Sequence, residues 1–192
     1  MTRREGDFYP TPQVAIRELL FEIAPQLLAP TGVPIVFDPA AGRGALLDAA
    51  NVFDPFLRCV GMEINAERVA YVRKAHQCIE GDFLAAPAPG PIDLWLSNPP
   101  YSLAQEFVTK MLDNRGPGTI TAVLLRMGFL GSQKRQAWWQ AHPPAALRVL
   151  SARPSFTDDG KTDNSEYAWY IFDPPARSLG LAPFGWYNAK TR

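Results

Sequence analysis

The sequence predicts an α/β chain built on a mostly parallel sheet with helices on both faces. Two observations carry this prediction: seven apolar runs of strand length recur along the 192 residues, and helix-like segments separate most of them. Strands that alternate with helices in this way pair in parallel and are covered on both sides. A first helix is expected over 12–28, where Pro12 suits an N-terminal turn, and a first strand over 34–37. A short helix over 45–51 leads to a strand over 57–64, and Asn65 is a good cap for a helix over 65–75. The third and fourth strands fall at 77–83 and 92–97, with only LAAPAPGP between them, too short for a helix. Ser102 and Ser132 mark the starts of helices over 103–114 and 132–141, which flank a strand over 119–127. Runs at 147–152 and 167–172 complete the set, no internal repeat occurs, and one domain over 1–192 is expected.

Composition narrows the class of protein. The chain is 47% hydrophobic with two cysteines, Cys59 and Cys78, no signal peptide and no apolar run of membrane-spanning length. That combination predicts a soluble, reducing, cytoplasmic setting with free thiols and no membrane contact. The 19 prolines and 14 glycines lie between apolar runs and read as loop punctuation. Net charge is zero but uneven: residues 1–114 hold 9 Lys/Arg and 14 Asp/Glu, whereas 115–161 hold seven Lys/Arg against Asp158 and Asp159. A basic segment in a neutral chain suits either a phosphate-facing surface or a plain solvated run.

In a sheet of this kind ligands bind beyond the carboxyl ends of the strands, near the point where strand order reverses. The first such end reads Asp38-Pro39-Ala40-Ala41-Gly42-Arg43-Gly44. Ala40, Gly42 and Gly44 would let backbone approach a ligand closely, although a tight strand-to-helix turn would look the same. The dinucleotide fingerprint is absent, and an acid at 38 suits an amine or cation better than a pyrophosphate. The second strand ends at Glu63-Ile64, where a carboxylate can hold ribose hydroxyls or simply precede a helix. The third ends in Asp82-Phe83, an acid able to accept from an adenine amino group beside a ring able to stack, or else a turn cap. Three acids at three successive strand ends converge on one nucleoside-like cofactor.

The fourth strand ends in Asn98-Pro99-Pro100-Tyr101. DPAAGRG followed at this distance by NPPY resembles the S-adenosylmethionine-dependent methyltransferases of exocyclic amino groups, most closely the DNA adenine-N6 methyltransferases. The resemblance covers most of the chain. It implies a Rossmann-like class I methyltransferase fold with a mostly parallel seven-stranded sheet, S-adenosylmethionine as cofactor and S-adenosylhomocysteine as product. Asp7-Phe8-Tyr9-Pro10-Thr11-Pro12 resembles the motif that precedes the glycine-rich loop in the gamma arrangement of that family. Residues 1–30 would then pack over the methionine end of the cofactor, through Tyr9, Thr11 and Pro12.

The resemblance also assigns chemistry. An adenine amino nitrogen is a poor nucleophile because its lone pair is delocalised into the ring. The Asn98 side-chain oxygen and the Pro99 carbonyl would accept its two hydrogens, which is preorganised stabilisation of the charge that grows on nitrogen. Pro99 and Pro100 restrict the backbone and withhold two donors. Tyr101 would stack the flipped base, and Phe156, in Arg153-Pro154-Ser155-Phe156, resembles the late-motif aromatic that would close the other side. Lys134, Arg135, Arg153 and Lys161 are candidate phosphate contacts. Trp169 and Tyr170 read as core, and Trp138-Trp139 as one buried and one available ring. Neither His76 nor His142 has companions at metal-ligand spacing, so no metal is expected.

Only about twenty residues follow the last expected strand, where sequence-specific relatives carry a large target-recognition domain. The expectation is N6-methyladenine formation in DNA with short or low specificity, or specificity from a partner subunit or homodimer. The alternatives are RNA adenine-N6 or guanine-N2 methylation, protein-glutamine methylation, and an inactive cofactor-binding subunit.

Overall fold

Successive residues of a strand point to opposite faces of its sheet, and in this chain both faces are apolar. A computed structural model of the protein describes residues 11, 14–27, 32–87, 89–151 and 165–187. Eight strands form one sheet: β1 Ile35–Asp38, β2 Arg58–Glu63, β3 Gln77–Glu80, β4 Leu94–Ser97, β5 Ile120–Arg126, β6 Ala146–Leu150, β7 Tyr167–Phe172 and β8 Phe184–Tyr187. Their order is β3-β2-β1-β4-β5-β7-β6-β8. The first five are parallel, β7 runs antiparallel to both β5 and β6, and β8 is parallel to β6.

Seven strands are expected from sequence, and the eighth is FGWY at the far edge. Glycine in a strand interior weakens the strand signal. Gly185 is there for space: a Cβ at that position would come within 3.3 Å of the Arg148 side chain. The third strand stops at Glu80 instead of residue 83, because Asp82 opens a turn.

The two faces carry separate apolar layers. Val36, Leu94, Leu96, Ile120, Leu124 and Trp169 face one way, against α1 (Val14–Ile23), α2 (Ala45–Phe53) and α3 (Ala66–Val72). Phe37, Trp95, Val123, Leu125 and Tyr170 face the other, with α4 (Ala104–Asp113) and α5 (Gln136–Ala141). Asn65 caps α3 as its position suggests, its side chain accepting from Arg68 N at 3.1 Å. The first helix is shorter than expected and ends in a 3-10 turn, Ala24–Gln26, at Pro25. A similar turn, Gln133–Arg135, takes the place of the first residues expected for α5.

A partly buried ion pair joins the far edge to the first helix. Arg148 on β6, 5% exposed, donates from Nε and Nη2 to the Glu22 carboxylate at 2.9 and 2.5 Å, and from Nη1 to the Ala182 carbonyl at 2.8 Å. The Tyr187 hydroxyl donates to the same carboxylate. Burial alone would raise the Glu22 carboxyl, but the Arg148 and Tyr187 hydrogen bonds and the arginine charge outweigh it and hold the value low. A depressed carboxyl contributes stability above the ordinary carboxylate range and loses it as pH falls through the folded value. Glu22→Gln leaves Arg148 buried without its counter-charge. The expected loss is on the order of 2 kcal/mol at neutral pH, below the ~3–5 of fully buried pairs because Glu22 is partly exposed. Denaturant titration of wild type and variant should show that difference at pH 7 and its shrinkage in acid.

Candidate active site

Strand order reverses between β1 and β4, and four loops meet beyond the carboxyl ends of the strands there. Asp38 closes β1 and is 1% exposed. Its Oδ1 accepts from Ala40 N at 3.0 Å and from the Ser97 hydroxyl at 3.1 Å, so the glycine-loop strand is tied to the Asn-Pro-Pro-Tyr strand. Burial raises the Asp38 carboxyl, the Ala40 and Ser97 hydrogen bonds oppose it, and the Glu63 charge adds to it, for a value of about 7.

The loop after β1 turns on two residues with positive φ, Gly42 at 56° and Gly44 at 87°. It lies hard against β2, where a Cβ on Gly61 would sit 2.7 Å from the Ala41 Cβ. Glu63, 2% exposed, ends β2 and holds this loop: Oε2 accepts from Gly42 N at 3.0 Å and Oε1 from Asn65 N at 2.9 Å. Its carboxylate thus fixes the loop and the start of α3. Ile64, one residue on, is 44% exposed at the rim.

Asp82 is exposed, and its Oδ1 accepts from Leu84 N at 2.9 Å in a capped turn. Phe83 corrects the expectation of a ring that stacks on a cofactor. It is 2% exposed and packs into the core between Trp95 and Phe107, with ring centroids 5.8 and 5.2 Å away. The turn is clamped by a residue that sequence reasoning missed. Lys110, reaching from α4, donates to the Phe83, Leu84 and Ala86 carbonyls at 2.6, 3.2 and 2.5 Å. A helical lysine gives no local hint of a partner some 25 residues back.

Pro99 and Pro100 are buried beyond β4. The Pro100 carbonyl accepts from Leu103 N at 2.9 Å, closing the 3-10 turn Tyr101–Leu103. Asn98 donates from Nδ2 to the hydroxyl of Thr11, 87 positions earlier, at 2.9 Å. Thr11 is 5% exposed, so the described end of the N-terminal motif is seated against the Asn-Pro-Pro-Tyr motif. Tyr101 lies beneath the guanidinium of Arg126, which is 4.8 Å from the ring centroid. Sequence reasoning counted Arg126 only as part of the basic segment.

Among the described residues, that basic segment is largely engaged within the fold. Arg148 pairs with Glu22, Arg115 donates to the Leu112 and Asp173 carbonyls, and Arg135 donates to the Phe129 carbonyl at 2.9 Å while covering the Phe129 ring. Lys134 is exposed. Trp138 bonds Thr109, and Trp139 stacks on Tyr170 at 5.4 Å, so each ring has an internal partner where one was expected to be available. Tyr9, Pro12, Arg153, Phe156 and Lys161 lie outside the described residues. Cys59 and Cys78 are free and buried, and burial pushes both thiols up to about 11. Among the described residues no cluster of three or more His, Cys, Asp or Glu could hold a metal, and no helix is long and apolar enough to cross a membrane.

No protein-family model and no curated protein matches the chain. Solved structures do match. One from Listeria monocytogenes, described as a class I S-adenosylmethionine-dependent methyltransferase, superposes with a TM-score of 0.72 at 12% identity over 98% of this chain and 69% of its own. One from Pyrococcus horikoshii, described as an RNA methyltransferase, gives 0.67 at 16% identity over 91% and 92%. The M protein of the type I restriction enzyme EcoKI gives 0.65 at 14% identity over 88% of this chain and 44% of its own. The chain therefore has the Rossmann-like class I methyltransferase fold.

Asp38 gives the site a pH signature. Between its ordinary value of 3.8 and its folded value of about 7, the unfolded carboxyl is ionised while the folded one keeps its proton. The unfolded state then binds fewer protons, and stability falls as pH rises through that window. Asp38→Asn removes the titration. Its stability between pH 4 and 7 should be flatter than that of wild type in denaturant titrations across the range.

Proposed function

We propose that this protein transfers a methyl group from S-adenosylmethionine to the exocyclic N6 amino group of adenine in DNA. The observation that carries the reading is the placement of Asn98-Pro99-Pro100-Tyr101 at the switch point, with Asn98 bonded to Thr11 and the adjacent Ser97 bonded to Asp38.

The residues present fit the cofactor. A buried carboxyl held near 7 is a site that a cationic amine would restore to its ionised form, which suits Asp38 to the α-amino group of a methionine moiety. Ala40, Gly42 and Gly44 are the candidate loop residues beside it, Glu63 at the end of β2 is the candidate for ribose hydroxyls, and exposed Ile64 offers an apolar rim to a purine. Asp82 is the candidate acceptor for the adenine amino group of the cofactor. When bound, S-adenosylmethionine supplies an electrophilic methyl group on sulfur and leaves as S-adenosylhomocysteine.

The chain's own part is to present the nucleophile. Asn98 Oδ1 and the Pro99 carbonyl accept the two amino hydrogens of the target, aligning the nitrogen and stabilising the charge that grows on it. The prolines hold those acceptors rigidly, and near-attack geometry of this kind supplies a large share of the acceleration. Tyr101 stacks the base once it leaves its duplex, a step that costs a few kcal/mol, roughly, in lost stacking and pairing. Phe156 and the cations Lys134, Arg135, Arg153 and Lys161 are the candidates for the other ring and the phosphates. Among the described residues Arg135 and three of its four basic neighbours, Arg115, Arg126 and Arg148, have internal partners, which favours sequence specificity from a partner subunit or second copy over a long basic surface.

The likeness to a structure described as an RNA methyltransferase supports RNA as the second reading. Incubation with methyl-labelled cofactor and separate DNA, RNA and protein acceptors, followed by digestion to nucleosides, distinguishes them. N6-methyladenine from DNA is the expected product. Asn98→Ala should lower the rate by about 100-fold or more, the size seen for lost transition-state acceptors or donors, while S-adenosylhomocysteine binding by calorimetry stays near wild type. Label confined to RNA or to protein glutamine would reject the DNA reading.

A further inference from the structure

We propose that a cleft beyond the end of β5 is a subsite for one base of the DNA that flanks the target adenine, read by the side-chain amide of Gln136. The proposal rests on the DNA-methylating reading above. In the run SQKRQAWWQ over 132–140, three glutamines are spaced three and four apart, and this spacing gathers side chains on one face of a helical segment. The 3-10 turn Gln133–Arg135 and α5 form that segment, and Gln133, Gln136 and Gln140 are all exposed. With Leu130, Ser132 and Trp139 they line a cleft of about 440 Å³, within the ~300–1,000 Å³ of small-molecule sites.

A base has apolar faces and a polar edge, and the cleft offers a surface for each. Leu130 and Trp139 are half-buried apolar walls, suited to the face of a planar ring. Trp139 is fixed in place, stacked on Tyr170 at 5.4 Å and donating from Nε1 to the Phe129 carbonyl at 3.2 Å. Those contacts already occupy the indole, so recognition falls to the amides. Each amide carries an acceptor and two donors, and none of the three bonds to another described residue. A glutamine amide can bond N6 and N7 of adenine at once, which sets the expected preference.

The sheet register ties the cleft to the target. Val123 on β5 pairs with Ser97 on one side and Tyr170 on the other, so the ring on which Trp139 stacks is level with the end of β4, one residue before Asn98. Two strand spacings, about 10 Å, separate those levels. One strand of DNA covers that distance in roughly three nucleotides. Exposed Lys134, next to Gln133, is the candidate for a phosphate between them. A base read by amides in this way needs no long basic surface.

The test uses Gln136→Leu, which removes the amide, and Gln136→Glu, which keeps its shape but turns the donor into an acceptor. The substrate is a DNA duplex pool randomised on both sides of a fixed adenine, with methylated positions read by sequencing. Wild type should favour adenine about tenfold at one flanking position, within what a bidentate amide contact gives. Gln136→Leu should reduce that preference to within twofold, and Gln136→Glu should move it to cytosine, whose amino group a carboxylate accepts from. Independently of methyl transfer, the Gln136 side-chain amide resonance, in protein labelled with nitrogen-15 glutamine and assigned by its loss in Gln136→Leu, should shift when the duplex is added. An unmoved amide in excess duplex, an unbiased wild-type profile, or a bias unchanged in both variants would overturn the proposal. A shifted amide with no methyl transfer to DNA by the wild type would instead reject the DNA-methylating reading and leave the base-binding cleft standing.

Discussion

The Ser97 hydroxyl and the Asp38 carboxylate form one hydrogen bond between two strands that are far apart in sequence and adjacent in the sheet. On one side of it lies the glycine-rich loop, and on the other the turn of Asn98 to Tyr101. Both ends of the site are therefore referred to a single buried acid, and that acid is kept out of water by the two apolar layers that sandwich β1 and β4. A carboxylate in such a place is costly to ionise on its own. Its raised value is the mark of burial that the Ala40 and Ser97 hydrogen bonds only partly offset.

The cations of the chain are used in an unexpected way. Arg148, Arg115, Arg135 and Lys110 bind carbonyls and carboxylates of their own fold, so they act as internal fasteners for edges and turns. Among the described residues of the basic segment, Arg115, Arg135 and Arg148 are spent in this way. Long side chains with several donors are suited to the task, because one head group can satisfy carbonyls from segments that no hydrogen-bond ladder joins. Lys110 shows the benefit: the turn carrying Asp82 has no strand partner for its carbonyls, and an ammonium from α4 takes them.

Features whose cause is local were legible in the sequence. Continuous apolar runs marked the strands of the sheet interior, Asn65 announced its helix, and Asp38, Glu63 and the Asn-Pro-Pro-Tyr motif lie where the runs end, at the close of β1, β2 and β4. Features caused by a distant partner were not. Nothing near Phe83 says that its ring meets Trp95 and Phe107, so an acid-aromatic pair read as a binding feature when its ring belongs to the core. Arg126 looked like one charge among seven until the β5–β4 register placed it on Tyr101. Gly185 hid β8 for the same reason, since the space it leaves is for the side chain of a residue on another strand.

The knot of Glu22, Arg148 and Tyr187 bears on the order in which the molecule can assemble. Its three members come from the first helix and from two strands at the far edge, so it closes loops that span most of the chain, and contacts of that separation form only after their closure entropy has been overcome. During synthesis α1 emerges first but has no anchor for Glu22 until β6 is made, and no cover from Tyr187 until β8 follows. A nascent chain thus holds α1 without its finished binding face until β8 has emerged. The same long closure makes folding cooperative, because β8 and β6 together lock α1, more than 100 residues earlier, in place.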